Sequence, residues 1–205
     1  MASPAERDGA HASLQVEAGA ARRTHAAFYF DLASPQAYLA AERVLHLLPG
    51  PAEWQPVLAA QLAGAAHEEP DLALLARLAE DLGLQPLRMP ATFPFDSGLA
   101  MRAATYAKSI GRAVAFAQAA FRQAYAGGHS LADEDYVLIS AAACEMHPRA
   151  VVAALDSARV ATELESATAA AREAGVETVP AVRVADQVYE GPAALERAAA
   201  RMAAG

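Results

Sequence analysis

The chain has 205 residues, 55% of them hydrophobic, and its 16 Lys+Arg against 24 Asp+Glu give a formal charge of −8. That length suffices to bury a core in one domain of ordinary or large size, with room for an inserted lobe. The acidic balance supplies no basic stripe for nucleic acid, and no run is long and apolar enough for a membrane span, so neither partner is expected. Around Glu6, Arg7 and Asp8 the start lacks the cationic end and apolar block of a secretory signal, which makes a cytoplasmic location the expectation. Much of the apolar count is alanine, which predicts a mostly helical chain with small-residue helix faces rather than a dense aromatic core. The single cysteine, Cys144, falls in a predicted helical stretch; it excludes an intrachain disulfide or a Cys-x-x-Cys centre and reads as a small buried hydrophobe.

Residues 1–24 show no sustained apolar period and are expected to be a disordered leader. From Ala26, the run Ala-Ala-Phe-Tyr-Phe-Asp predicts a buried parallel strand. Ser34-Pro35 then offers an N-cap and a first helical residue, and Tyr38, Leu39, Val44, Leu45 and Leu48 recur at helical spacing. Pro49-Gly50-Pro51 ends that helix, and Glu53 to Leu58 reads as a second strand, placed at an edge or strand end by Pro56. From about Ala60 to Asp156 the pattern gives helices and turns and no convincing strand. Leu72, Leu75, Leu78 and Leu82 form one stripe; Leu99, Ala103, Tyr106 and Ile110 a second; Val114, Phe121 and Tyr125 a third, closed at Gly127-Gly128. Pro86, Pro90 and Pro94 mark a rigid extended connection ahead of a helix capped by Asp96 or Ser97, and Asp133 to His147 and Pro148 to Leu155 supply two further helices. A long helix through Val160, Leu164, Ala167 and Ala171 closes at Gly175. Thr178 to Val184 and Gln187 to Glu190 then predict a hairpin turning around Asp186, and Leu195 to Met202 a closing helix.

The strongest local candidate for chemistry is Asp31 to Tyr38, which sets the Ser34 hydroxyl at the carboxyl end of a strand and the amino end of a helix. Unpaired amides and the positive end of the helix dipole favour an anion there, including a thiolate. A serine hydroxyl can donate one further hydrogen bond, although Ser-Pro also serves simply as a cap. The second element is Thr178-Val179-Pro180, where a proline opens a late strand and the X-Pro bond is open to either cis or trans geometry. His46, His67, His129 and His147 lack ligand spacing, and Asp133-Glu134-Asp135 reads as a helix start, so no metal is expected. No Gly-rich phosphate loop occurs, and no nucleotide cofactor is expected either.

Phe28-Tyr29-Phe30-Asp31-Leu32-Ala33-Ser34-Pro35-Gln36-Ala37-Tyr38-Leu39 closely resembles the opening motif of the kappa glutathione transferases and 2-hydroxychromene-2-carboxylate isomerases. Trp54 to Leu58 looks like that family's second strand, Phe93 to Arg102 its insertion-helix motif, and Gly175 to Gly191 its cis-proline strand pair. The resemblance covers residues 26 to 203 and implies an α/β fold: a thioredoxin-like domain of DsbA/kappa type (residues 25–59 and 157–205) carrying an all-helical insertion (60–156). It implies that Ser34 stands where disulfide-exchange relatives have the attacking cysteine, and Ala37 where they have the resolving one. Ser34 would be the catalytic group, activating the sulfur of glutathione or another small thiol. Pro35, Val179 and Pro180 would line the cofactor, with the Val179 backbone pairing to the tripeptide. The implied substrate is a small hydrophobic, conjugated or aromatic compound. In an isomerase the thiolate adds, the weakened bond rotates, and the thiol leaves; in a transferase it stays attached. Homodimers are common in the family.

Two features depart from the family pattern. Gln61 to Asp71 is acidic and has no lysine, and Gly191 is followed by Pro192-Ala193-Ala194 instead of a Ser-Asp or Gln-Asp pair. Loss of two charge-assisted contacts at about 1.5 to 3 kcal/mol each would weaken glutathione binding by roughly two to four powers of ten. Arg88 and Arg102 are the candidates for replacement anchors. Three readings follow: an isomerase or transferase using another thiol or none, a glutathione enzyme with new anchors, and a non-catalytic ligand-binding module.

Overall fold

The computed structural model describes residues 26–64, 70–191 and 193–204. The expected leader, His67 and Pro192 lie outside the described residues. Four strands and eight α-helices are present among those described. In chain order they are β1 (Ala26–Phe30), α1 (Pro35–Leu47), β2 (Ala52–Pro56), a short 3-10 turn (Ala59–Gln61), α2 (Leu72–Asp81), α3 (Gly98–Ser109), α4 (Ala113–Tyr125), α5 (Glu134–Ala142), α6 (Pro148–Leu155), α7 (Ala158–Glu173), β3 (Ala181–Val184), β4 (Gln187–Glu190) and α8 (Ala194–Ala203).

The strands form one sheet in the order β2-β1-β3-β4. β1 runs parallel to β2 and antiparallel to β3, and β3 pairs antiparallel with β4. Pro56 is the last residue of the edge strand β2, where its missing N–H costs no ladder bond. The strand stops short of the expected Leu58, because the Leu58 amide turns away to the Thr168 hydroxyl on α7, 3.0 Å off. The β3–β4 turn needs two residues, and Ala185 adopts φ +53°, the left-handed region such turns require.

Side-chain alternation along β1 divides the interior. Ala26, Phe28 and Phe30 join Trp54, Val182, Val184 and the helical segment in a large core. Ala27 and Tyr29 face a smaller one with Val57, Leu62, Ala171, Val176 and Ala181. Contrary to the expectation from composition, aromatic rings run through the large core. Phe28 and Phe30 meet Trp54 edge-on with centroids 4.9 and 5.8 Å apart, Phe30 reaches Phe121 at 5.9 Å, and Tyr38 stacks on Tyr125 at 5.6 Å. Alanine still dominates the helix faces, as with Ala100, Ala103, Ala104 and Ala107 of α3, so rings fill the space that small residues leave. Truncating such a buried ring costs about 3 to 5 kcal/mol. Exposed or partly exposed pairs such as Arg43–Glu196, Lys108–Glu53 and Arg159–Glu163 contribute under about 1 kcal/mol each.

Four helical expectations are corrected. Ile110 of the predicted α3 stripe is 44% exposed. Leu45 is 56% exposed instead of joining the α1 core stripe. On α2 only Leu75 of the predicted stripe is buried, while Leu72, Leu78 and Leu82 are exposed, because this helix packs chiefly on α1 at the edge of the molecule. The α5 helix ends at Ala142, well before His147. Glu145 takes φ +60°, and the Met146 amide turns back to the Ala141 carbonyl at 3.1 Å. Cys144 therefore sits in a turn rather than a helix, buried as expected, and burial pushes its thiol up.

Candidate functional site

The strand register brings the sequence candidates to one end of the sheet. Phe30 at the end of β1 pairs with Pro56 at the end of β2. Tyr29 pairs with Ala181 at the start of β3, and Ala181 with Glu190 at the end of β4. Ser34 and Pro35, the Val179-Pro180 peptide, the Ala59–Gly64 loop and Gly191 consequently emerge at the same edge.

Ser34 is the N-cap of α1, and its Oγ accepts from the Ala37 amide at 3.1 Å, with Pro35 as the first helical residue. The hydroxyl proton meets only Gln36 Oε1, at a long 3.4 Å. Half-buried Ser34 thus combines a fixed oxygen with a weakly engaged donor above the helix amides, an arrangement suited to an anionic sulfur. Gln36 was not singled out in the sequence, since an exposed polar residue in a first helical turn carries no distinctive signal.

The turn supporting Ser34 is bonded along its length. The Ser34 amide donates to the Asp31 carbonyl at 3.0 Å, and the Leu32 amide to Met101 Sδ at 3.3 Å. The Leu32 carbonyl accepts from the Tyr125 hydroxyl at 3.2 Å. Asp31, 3% exposed, accepts from the Ala33 and Ala59 amides at 2.8 Å each. Burial pushes the Asp31 carboxyl up; the hydrogen bonds from the Ala33 and Ala59 amides and the nearby Ser97 hydroxyl oppose the shift, and the neighbouring Asp96 adds to it. Burial, reinforced by the Asp31 charge, also holds the Tyr125 phenol well above its ordinary value. The sequence reading treated Asp31 only as the residue ending a strand. An acid following an apolar run was the available signal, but its partner Ala59 is remote in sequence.

Val179-Pro180 is cis, resolving the alternative left open by the sequence. β3 begins at Ala181 rather than Thr178, because the preceding residues bend away: both the Glu177 and Thr178 amides donate to Glu190 Oε1, at 2.7 and 2.8 Å. Phe93-Pro94 is a second cis bond, in the connection leading to α3. Ser97 occupies the α3 N-cap without a side-chain cap bond, and Asp96 instead accepts from the Gly98 amide at 2.8 Å.

Of the two arginines considered as replacement anchors, Arg102 donates to the Leu155 carbonyl at 3.0 Å and so is occupied at the end of α6. Arg88 is exposed, its backbone amide tied to the Tyr125 carbonyl at 2.7 Å. Among the described residues no cluster of three or more His, Cys, Asp or Glu side chains is placed to hold a metal ion, and no helix is long and apolar enough to cross a membrane. A shallow depression of about 560 Å³ is lined by Ala158, Arg159, Thr162, Glu163 and Ser166 of α7, and includes no residue of the Ser34 turn or the Pro180 bend.

A mixed four-stranded sheet in this order, with a helix start after β1, a cis-proline before β3 and a helical segment between β2 and α7, defines a thioredoxin-like protein carrying an inserted helical lobe. The chain belongs to the DsbA-like thioredoxin family, whose model matches residues 26–203. Three solved structures are similar in fold. A 2-hydroxychromene-2-carboxylate isomerase shares 22% identity at a TM-score of 0.74, covering 88% of this chain and 93% of its own. A probable DsbA oxidoreductase from Streptomyces coelicolor shares 20% at 0.71, covering 88% of each chain. The cytosolic disulfide reductase DsbM from Pseudomonas aeruginosa, solved with GSH, shares 14% at 0.64, covering 88% of this chain and 98% of its own. No curated protein matches significantly in sequence.

Proposed function

We propose that this protein is an enzyme of the isomerase and kappa-transferase branch of its family, binding a small thiol at Ser34 and acting on a small conjugated or aromatic compound. The carrying observation is the Ser34 hydroxyl at the amino end of α1, its oxygen fixed by the Ala37 amide and its proton on a long contact to Gln36. Dithiol exchange by residues of this chain is ruled out chemically, since Cys144 is its one cysteine and positions 34 and 37 are serine and alanine. A borrowed thiol supplies the nucleophile instead. Its thiolate, stabilised by helix amides and by the Ser34 O–H, adds to the conjugated substrate; the bond that has lost double-bond character rotates, and elimination returns the thiol. Glutathione is the first candidate, with the Val179 backbone beside the cis-proline as its peptide-pairing edge. In a transferase the adduct is released instead.

A second reading, a ligand-binding module without turnover, is favoured by one observation: Arg102 is already engaged by the Leu155 carbonyl, leaving the missing family anchors without that replacement. Calorimetric titration with reduced glutathione, with Ser34→Ala in parallel, separates the cases. Micromolar binding that weakens in the variant is the expected result for a glutathione-dependent enzyme. No binding up to millimolar concentration removes glutathione, and saturable binding of an apolar ligand without product would establish the second reading.

A further inference from the structure

Leu32 stands two residues before Ser34 and is fully buried. Its two backbone polar groups both leave the β1–α1 turn for side chains of the helical insertion. The amide donates to Met101 Sδ on α3 at 3.3 Å, and the carbonyl accepts from the Tyr125 hydroxyl on α4 at 3.2 Å. Met101 and Tyr125 are fully buried as well. A thioether is a weak acceptor, but a buried amide that loses even a weak partner cannot turn to water, so the chain around it has to move. Such a movement reaches Ser34, whose amide donates to the carbonyl of the adjoining Asp31 at 3.0 Å. Burial holds the Tyr125 phenol well above its ordinary value, which keeps it a donor throughout the range in which a thiol titrates.

We propose that Met101 and Tyr125 are positioning residues, through which the helical insertion grips the Leu32 peptide groups from both sides and sets the Ser34 oxygen over the first amides of α1. The inference rests on reading Ser34 as the place where a sulfur is held. That oxygen is located by a single cap bond, 3.1 Å from the Ala37 amide. Stabilisation of an anion by a helix end fades within one turn, so a displacement of about 1 Å at Ser34 weakens the hold on a thiolate. The insertion then does more than cover the sheet: α3 and α4 fix the geometry of a group that belongs to the thioredoxin-like half.

The test uses a thiol built into the full chain as a gauge of position. Ser34→Cys puts a sulfur in place of the oxygen, Cys144→Ala in every background leaves it the sole thiol, and its alkylation by iodoacetamide is followed against pH. Met101→Leu removes the acceptor and Tyr125→Phe the donor, each at nearly constant volume. Val137→Ala, a buried position on α5, which packs on α3, α4 and α6, is the control for a loss of stability alone. The expected result is a midpoint higher by about half a pH unit in Met101→Leu and in Tyr125→Phe, and unmoved in Val137→Ala. With Ser34 intact, the Ala37 amide proton should shift in NMR spectra of the same two variants and stay in place in the control. A midpoint and an amide proton that are unchanged in a variant overturn the role of that residue, and equal changes in Val137→Ala overturn both. Should Met101→Leu fail to fold, selenomethionine labelling of the natural protein keeps the proposal open to refutation, because coupling between the Leu32 amide proton and selenium at position 101 has to appear and its absence ends the claim for Met101. None of these readouts needs glutathione or turnover, so a failed glutathione titration and a failure of this positioning are told apart.

Discussion

The turn from β1 into α1 and the bend ahead of β3 lie at the same end of the sheet but are secured differently. Around Ser34 the chain is held by Asp31, Met101 and Tyr125, all buried side chains reaching the turn from within the core. The Val179-Pro180 bend is held from outside. Glu190 accepts from the Glu177 and Thr178 amides, Arg197 donates to the Glu190 carbonyl, and the Gly64 amide donates to the Glu177 carbonyl at 2.9 Å. Buried hydrogen bonds are costly to lose because the abandoned group cannot turn to water, whereas exposed ones are readily replaced by it. The half of the site that would meet a sulfur is therefore constrained by folding. The half that would meet the rest of a thiol ligand can change at little cost to stability.

Asp31→Ala should produce the largest effect, a loss of about 2 to 4 kcal/mol in urea denaturation, because the Ala33 and Ala59 amides lose their acceptor together. A loss below about 1 kcal/mol would erase the contrast between the two flanks.

The pH dependence of stability sharpens the same point. Burial raises the Asp31 carboxyl above its unfolded value, so the native state binds that proton more tightly than the unfolded chain does. Its contribution to stability is fully present below the unfolded pKa and is lost as pH rises through the higher folded value. Denaturation across the acidic range should show that decline in the natural protein and a flatter profile in Asp31→Asn; parallel profiles would mean that the buried acid is not raised.

Ser34→Ala removes the cap bond to the Ala37 amide and should cost about 1 kcal/mol of stability while weakening thiol binding. Weakened binding without a change in fold, read by calorimetry alongside circular dichroism, separates its chemical role from its structural one. Glu190→Ala should have the smallest effect, about 0.5 kcal/mol, since water can solvate the released Glu177 and Thr178 amides. A cost above about 1.5 kcal/mol would show that the Pro180 bend is tied as firmly as the Ser34 turn.

Much of this architecture was legible wherever the signal was local. Ser34-Pro35 announced the α1 start because cap chemistry acts within one helical turn, and Gly175, at φ +87°, closes α7 where only glycine sits comfortably. Leu45 and the exposed leucines of α2 were misassigned because helical spacing reports a shared face, not whether another element covers it. The early end of α5 escaped notice because Glu145, in the left-handed region, carries no glycine to mark it. Within the site, Ser34 and the Pro180 segment could be read because relatives carry those motifs at fixed places. Asp31 could not, because its significance comes from burial and from the Ala59 amide brought in after β2.

The sequence by itself determined the order of strands and helices, the cap that sets Ser34 above α1, and the lack of a paired thiol, since each follows from residues close together or from composition. Only the tertiary structure decided which leucines face the core, that aromatic rings thread it, that Val179-Pro180 is cis, and that Asp31 is a buried acid bonded to two amides. Those outcomes depend on long-range packing and on exclusion of water, and no short stretch of sequence encodes either.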